Sequence, residues 1–339
     1  MALSLLVSSA TAFGQAVTTA QDTRFLPYGL SLRFSRDGRF LHVVGLGPDN
    51  STQGQHVRVV TYSAKTGAVV HVINLQPDTQ VLSTTSDGGT AIILTDSSGE
   101  HGRPFLLDTG TGQLEAIPES WYEPESNRDA AISGDGRLVS IYSETDSATP
   151  MIVSVYDWRT KTLVATRRSE YVAAGGIMGG GVTEDGAIEF EGNRVGSTIV
   201  DLKTGRSMGQ FGPSTVRSPD GAWAVQFPNQ NWGDPSTDAL VKNGADGRTV
   251  GKLNVQVPEE ELNGGISGAF CGTSRRFIMA SKHAVAAYLL HSGKLLASFP
   301  EQTWKDASTG DDVPAVACSP AGTRVAILSG ARVTFHDLK

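Results

Sequence analysis

Two glycine-rich segments combine residue types that nucleophilic catalysis or phosphate binding would use. Residues 264–268 read Gly-Gly-Ile-Ser-Gly, which is not the Gly-x-Ser-x-Gly order of a nucleophile elbow. Residues 175–181 could be taken for a phosphate-binding loop, but no helix pattern follows to offer its N-terminus to a phosphate. Small residues on an inner strand beside a central channel explain the second segment better. Neither segment predicts catalysis.

The histidines do not have the spacing of a metal site. Zinc-binding helices commonly carry His-x-x-x-His or Glu-x-x-His, and neither pattern occurs. Residues 229–234 alternate oxygen ligands but lack the full spacing of a calcium loop. The sequence therefore predicts no metal ion, no cofactor and no catalytic residue, with the histidines on the surface or at strand edges. They are His42, His56, His71, His101, His283, His291 and His336.

The only two cysteines, Cys271 and Cys318, each end a short apolar segment. Two cysteines build neither a disulfide framework nor a zinc site. We expect both to be buried as small hydrophobic residues rather than joined to each other.

Composition excludes several classes of partner. With 39% hydrophobic and 19% charged residues, the chain has the composition of a soluble globular protein. Its net charge is −7 and no long run of Lys or Arg occurs, so a phosphate-binding surface for nucleic acid is not expected. No apolar stretch approaches the roughly 20 residues of a membrane-spanning helix.

A polar turn signal of the form Ser-x-Asp-Gly recurs seven times. From Gly38 to Gly322 the copies are spaced by about 47 residues on average, within the range of four-stranded propeller blades. Each copy is followed by a short apolar run typical of a buried strand. The copies are residues 35–38, 86–88, 133–136, 183–186, 218–221, 271–274 and 319–322.

A second signal, of the form Asp-x-x-Thr-Gly, follows each apolar run, as at residues 201–205. Asp and Ser side chains bond the turn backbone, and Gly supplies the positive φ that closes a hairpin. Each repeat is therefore a four-stranded meander. The sequence predicts an all-β fold, a seven-bladed β-propeller of four-stranded antiparallel blades.

The two ends of the chain are expected to share a blade. Lys339 falls where the third strand of the seventh repeat finishes, and an exposed strand edge is a liability. A strand within residues 9–22 would close the ring by pairing of the N- and C-terminal segments. Residues 1–22 also resemble a signal peptide without its leading Lys or Arg. Both interpretations of this segment, a signal peptide and a closing strand, stay open. Residues 23–339 form the propeller domain, with an extracytoplasmic location slightly favoured.

Both turn signals resemble those of the WD40-like and YVTN-type propellers of bacteria. Residues 218–221, Ser-Pro-Asp-Gly, and residues 201–205 carry the resemblance, which covers residues 28–339. It implies a platform for protein or peptide binding. The chain departs from the eukaryotic pattern, since no repeat opens with Gly-His or ends in Trp-Asp. A quinone-cofactor propeller is disfavoured because its blade-docking Trp is replaced by Val70, Glu115, Met208 and Leu296.

Long connections between strands are expected on one face of the disk, called here the long-loop face. The opposite, tight-turn face carries the two turn signals. Aromatic residues on loops of a rigid scaffold are typical of binding hot spots, although they can also cap the ends of adjacent sheets. Acidic residues there, including Glu119 and Glu301, favour a basic partner. The long-loop face comprises residues 47–55, 96–103, 119–128, 144–150, 228–237, 258–263 and 301–312.

The function predicted from these features is a monomeric, non-catalytic scaffold that binds a protein or peptide through the long-loop face. The alternative is an extracytoplasmic propeller enzyme of lactonase or hydrolase type, with a divalent cation at the channel mouth. The candidate partner-binding residues are Trp121, Tyr122, Glu123, Glu144, Tyr171, Trp232 and Trp304.

Overall fold

The computed structural model confirms a seven-bladed β-propeller. Its described residues form seven antiparallel sheets, six with four strands and one with three. In each four-stranded sheet, strands consecutive in the chain are neighbours, so every blade is a meander. The described residues are 25, 30–47, 56–95, 102–122, 129–143, 151–169, 177–192, 196–212, 215–227, 238–254, 266–272, 275–305, 313–330 and 332–338.

The strands are numbered in chain order and grouped by blade. Blades 1 to 3 contain β1 (Ser31–Phe34), β2 (Phe40–Leu46), β3 (His56–Ser63), β4 (Val69–Pro77); β5 (Thr79–Thr84), β6 (Thr90–Thr95), β7 (Arg103–Asp108), β8 (Leu114–Ala116); and β9 (Asp129–Ile132), β10 (Leu138–Ser143), β11 (Ile152–Asp157), β12 (Thr162–Arg168). Blades 4 and 5 contain β13 (Ile177–Val182), β14 (Ile188–Gly192), β15 (Gly196–Val200), β16 (Ser207–Phe211); and β17 (Thr215–Arg217), β18 (Trp223–Gln226), β19 (Asp238–Asn243), β20 (Thr249–Asn254). Blades 6 and 7 contain β21 (Ser267–Phe270), β22 (Arg276–Ala280), β23 (Val285–Leu289), β24 (Lys294–Phe299); and β25 (Ala315–Cys318), β26 (Arg324–Ser329), β27 (Arg332–Asp337). A 3₁₀ turn spans Glu119–Trp121 and a short helix, α1, spans Glu301–Trp304.

The Ser-x-Asp-Gly signal forms the turn between the first and second strands of a blade. In blade 1, Ser35 Oγ donates to Asp37 Oδ1 at 2.7 Å, and the same oxygen accepts from the Arg39 backbone N–H at 3.0 Å. Gly38 has φ of 71°, which a residue with a Cβ adopts only with strain. The backbone N–H of Arg39 and the Ser35 hydroxyl lower the pKa of Asp37 to about 2. The turn is thus held by its own side chains, as its sequence predicts.

In five blades, the outermost strand carries a β-bulge directly after the turn that joins it to the third strand. In blade 1, Tyr62 faces Val69 and Thr61 faces His71, which leaves Val70 as the extra residue. Bulges twist an edge and hinder its pairing with another chain. Several of the exposed apolar side chains lie at these bulges, Val70 among them at 51% exposure. The bulge residues are Val70, Val164, Met208, Val250 and Leu296.

Seven hydrophobic clusters make the core, one between each pair of neighbouring blades. The cluster between blades 7 and 1 joins Leu41 and Val43 to Ala326 and Leu328. Arg324 Nη1 also donates to the Ala64 carbonyl at 2.7 Å. The last blade therefore packs on the first, and the ring is closed. The prediction that residues 9–22 pair with β27 lies outside the described residues.

The expectation that the two cysteines are unpaired is wrong. Cys271 and Cys318 form a disulfide between blades 6 and 7, with their Cα atoms 4.8 Å apart. Their separation of 47 residues is about one repeat. Residues one repeat apart occupy similar places in neighbouring blades, and Cys271 directly follows β21 while Cys318 ends β25. The repeat itself brings the two sulfur atoms together.

Candidate functional site

A central channel with a volume of about 620 Å³ runs between the innermost strands of the blades. All seven blades contribute to its wall, through residues such as Leu32 in blade 1 and Val316 in blade 7. Among the described residues, its charged lining residues come from blades 1, 4 and 5. A cavity of this size is in the range that holds small ligands. The charged lining residues are Arg33, Glu184, Asp185, Glu189 and Arg217.

Glu184 of blade 4 contacts three other blades at the tight-turn end of the channel. Its carboxylate pairs with the guanidinium of Arg33 from blade 1 and accepts from Ser86 Oγ of blade 2 at 2.9 Å. Its carbonyl accepts from Gly134 N of blade 3 at 2.9 Å, and the Gly134 carbonyl accepts from Ser86 N at 3.0 Å. A Cβ at Gly134 would lie 2.8 Å from the Glu184 carbonyl oxygen, a backbone atom, so this inner turn favours glycine. The contacts hold the inner turns of blades 2, 3 and 4 together.

Arg217 and Asp185 form a nearly buried ion pair between blades 5 and 4. Arg217 Nη1 and Nη2 donate to the two Asp185 oxygens at 3.2 and 3.1 Å, with the side chains 10% and 14% exposed. Nη2 also donates to the Gly244 carbonyl at 3.2 Å, and the guanidinium lies 5.5 Å from the centre of the Phe211 ring. Bidentate Arg–carboxylate pairs are among the stronger charge-assisted contacts. The positive charge of Arg217 is therefore already compensated.

Glu189 lies on β14, partly buried, in the wall of the channel. Burial raises its pKa, while a hydrogen bond from Ser197 lowers it and the neighbouring charges act in both directions. Among the described residues no Lys, Arg or His forms an ion pair with Glu189. It faces blade 5 beside the smallest of the seven clusters, that of Ala187, Ile199, Phe211 and Ala224.

Two of the candidate partner-binding residues are packing residues in this structure. Trp121 is 9% exposed and stacks on Tyr156 with ring centres 4.0 Å apart. Trp304 is fully buried, and its indole N–H donates to the Phe299 carbonyl at 3.1 Å. The alternative interpretation of the tryptophans, that they cap adjacent sheets, describes both positions.

Of the other five candidate residues, one is described in the structure and four are not. Tyr122 is partly buried and packs on the cluster that contains Trp121. Glu123, Glu144, Tyr171 and Trp232 lie outside the described residues. Partner binding at these positions stays a prediction.

Both described acidic residues of the long-loop face are already paired with cations. Glu119 lies 3.2 Å from Arg103. Glu301 accepts from Lys305 at 2.7 Å and lies 3.1 Å from His283 Nδ1, and these two partners lower its pKa. These two carboxylates therefore add little net negative charge to the face.

Within the described ranges, no group of three or more His, Cys, Asp or Glu side chains is placed to hold a metal ion. No helix among those residues is long and apolar enough to cross a membrane.

Comparison with known proteins identifies the fold and nothing finer. No family model matches the sequence, and no curated protein matches it. Among solved structures, hydrazine synthase from Kuenenia stuttgartiensis aligns with a TM-score of 0.57 and 16% identity, over 96% of this chain and 98% of that chain. A chain of the mitotic checkpoint complex aligns with a TM-score of 0.58 and 13% identity, over 100% and 99%. Both are β-propellers, and at these identities the likeness shows the fold alone.

Proposed function

We propose that the chain is a non-catalytic binding scaffold that takes a protein or peptide on its long-loop face. The observation that carries this proposal is the unequal use of the two faces. Every described tight turn is short and bonded to itself, as at Asp37 and Asp108. Eight of the thirteen strand connections on the other face have seven or more residues, and the connections of that face carry most of the aromatic and acidic loop residues of the sequence.

A rigid ring with variable loops on one side suits recognition. Seven cohesive blade interfaces hold the strand ends in place, and binding residues are commonly carried on loops of such a frame. Because Trp121 and Trp304 are buried, they support the loops, and the partner contacts are assigned to Glu123, Glu144, Tyr171 and Trp232.

The test begins with peptides selected from a random library on the intact protein. Binding is then measured with a loop variant that combines Glu123→Ala, Glu144→Ala, Tyr171→Ala and Trp232→Ala. Loss of aromatic anchors should weaken the selected peptides about tenfold or more. Tyr122 is left unchanged because it packs on Trp121.

A matched control variant alters the opposite face through Arg36→Ala, Lys65→Ala and Arg206→Ala, all of which are exposed tight-turn residues. It should bind the selected peptides as the unaltered protein does. Equal binding by the loop variant, or loss only in the control variant, would contradict the proposal.

The disulfide supports the further proposal that the protein works outside the cytoplasm. Disulfides persist in oxidising compartments and are rare where glutathione keeps thiols reduced. We propose that the propeller is a monomer, as its closed ring needs no second copy to bury the described cores.

A further inference from the structure

The strongest departure from the repeat pattern is the carboxyl group at Glu189. In each blade, the turn between the first and second strands is closed by a backbone N–H that donates to a carbonyl at the start of the second strand. The residue two positions after that carbonyl occupies the equivalent position in every blade. This position lies on the second strand and packs toward the next blade, as Ile92 and Ile278 do. Only blade 4 places an ionisable acid there. The equivalent residues are His42, Ile92, Ser140, Glu189, Val225, Ile278 and Ala326.

Arg217, the cation that acts electrostatically on Glu189, and Arg33, which lines the same channel, are both paired with other carboxylates. Arg217 is bonded to both oxygens of Asp185, and Arg33 across the channel is paired with Glu184. The remaining acid near it is Glu191, which is exposed on the same strand. With these pairs formed, an ionised Glu189 would leave the described part of the channel wall with one uncompensated negative charge.

A partly buried carboxylate without a counter-ion is costly unless a cation is supplied. We propose that the channel wall at Glu189 binds an organic cation, namely a primary ammonium group carried on an aliphatic chain. The ammonium would donate to the Glu189 carboxylate, and the chain would lie along apolar wall residues such as Phe211 and Val216.

A metal ion fits this position less well than an ammonium. Calcium takes six to eight oxygen ligands, and no group of three or more candidate ligand side chains occurs among the described residues. An ammonium needs only a few acceptors, and the Glu189 carboxylate and Ser197 hydroxyl lie together. This site is separate from the long-loop face, and its test does not depend on partner binding there.

The experiment measures binding of n-pentylamine and of 1-pentanol to the full-length protein by calorimetry. The two probes have the same length and differ in charge. The ammonium should bind at least about fivefold more tightly than the alcohol, the factor expected for one screened contact between opposite charges. Glu189→Gln should remove the difference, whereas the matched control Glu191→Gln should keep it.

Binding should also strengthen as pH rises through the pKa of Glu189, because only the carboxylate attracts the ammonium. Carbon-13 NMR of the Glu189 carboxyl in the unaltered protein provides a readout that does not depend on a variant folding. Pentylamine should lower the pKa of that carboxyl. An unchanged titration, equal binding of both probes, or undiminished preference in Glu189→Gln would overturn the proposal.

Discussion

The blade 6–7 interface and the blade 4–5 interface are built from the same repeat and differ in what fills them. The first contains eleven buried residues of one hydrophobic cluster, including Trp304, and is crossed by the Cys271–Cys318 disulfide. The second contains four such residues among those described, and is completed by Glu189 and the Arg217–Asp185 pair. The first interface is mainly apolar and is cross-linked, whereas the second has a small apolar cluster and contains an ion pair.

The difference shows where the fold tolerates a cost to its stability. Apolar burial contributes about 25 cal/mol per Å², whereas replacing a buried ion pair with apolar residues is often neutral or stabilising. The repeat does not require an ion pair between blades, because the blade 5–6 and blade 1–2 interfaces are built on clusters of eleven and nine buried hydrophobic residues. The charged interface borders the part of the channel that carries the other charged residues. Departures of this kind from packing rules concentrate at functional sites.

Among the variants that test this comparison, Trp304→Ala is expected to have the largest effect on stability. Trp304 is fully buried in the blade 6–7 cluster, and its removal leaves a large cavity and an unbonded Phe299 carbonyl. The free energy of unfolding should fall by about 4 kcal/mol, as for other buried aromatic residues. Denaturant unfolding measures it.

Gln302→Ala is the matched control, because Gln302 lies on the same short helix and is exposed. It should change the unfolding free energy by less than about 0.5 kcal/mol. A loss of under about 1 kcal/mol in Trp304→Ala would show that the interface does not depend on this side chain.

Trp304 also shows how far the sequence alone could be followed. The turn signals fixed the number of blades and the strand order because each uses only local chemistry, an Asp or Ser bond and a glycine with positive φ. A tryptophan in a long connection looks the same whether it points outward or folds back between two blades. Its burial depends on α1 and the Phe299 carbonyl, which lie outside any repeat signal.

A second expected effect is loss of the disulfide in Cys271→Ser combined with Cys318→Ser. The closed loop of 47 residues restricts the unfolded chain, and loss of the disulfide should cost about 4 kcal/mol. The unaltered protein in reductant should lose the same amount. The double variant should be insensitive to reductant, so a further loss in reductant would contradict this origin of the effect.

The disulfide was missed for a reason that the repeat itself supplies. Cysteine counting treats 47 intervening residues as a long separation, whereas in a ring of blades it is a step to the adjacent blade. The carboxyl at Glu189 was missed in a similar way. The inner turn of blade 4 closes from Thr183 to Ala187, one residue shorter than the turn from Ser35 to Phe40. Glu189 is recognised as the equivalent of Ile278 only when this one-residue difference in turn length is taken into account.

The smallest effect, and the one that sharpens the comparison most, concerns these two aligned positions. Burial raises the pKa of Glu189, so stability is lost as pH rises through that pKa. Glu189→Gln keeps the shape and removes the ionisation. It should therefore stabilise the protein by about 1 kcal/mol near pH 8 and by much less near pH 4, measured by denaturant unfolding at both pH values.

Ile278→Gln places the same amide at the equivalent, fully buried position of the blade 6–7 interface, where no polar neighbour is provided by the cluster. It should destabilise at both pH values, by about 2 kcal/mol or more. If the two amides behaved alike, the two interfaces would not differ in their tolerance of polar groups, and the charged interface would be an incidental variation of the repeat.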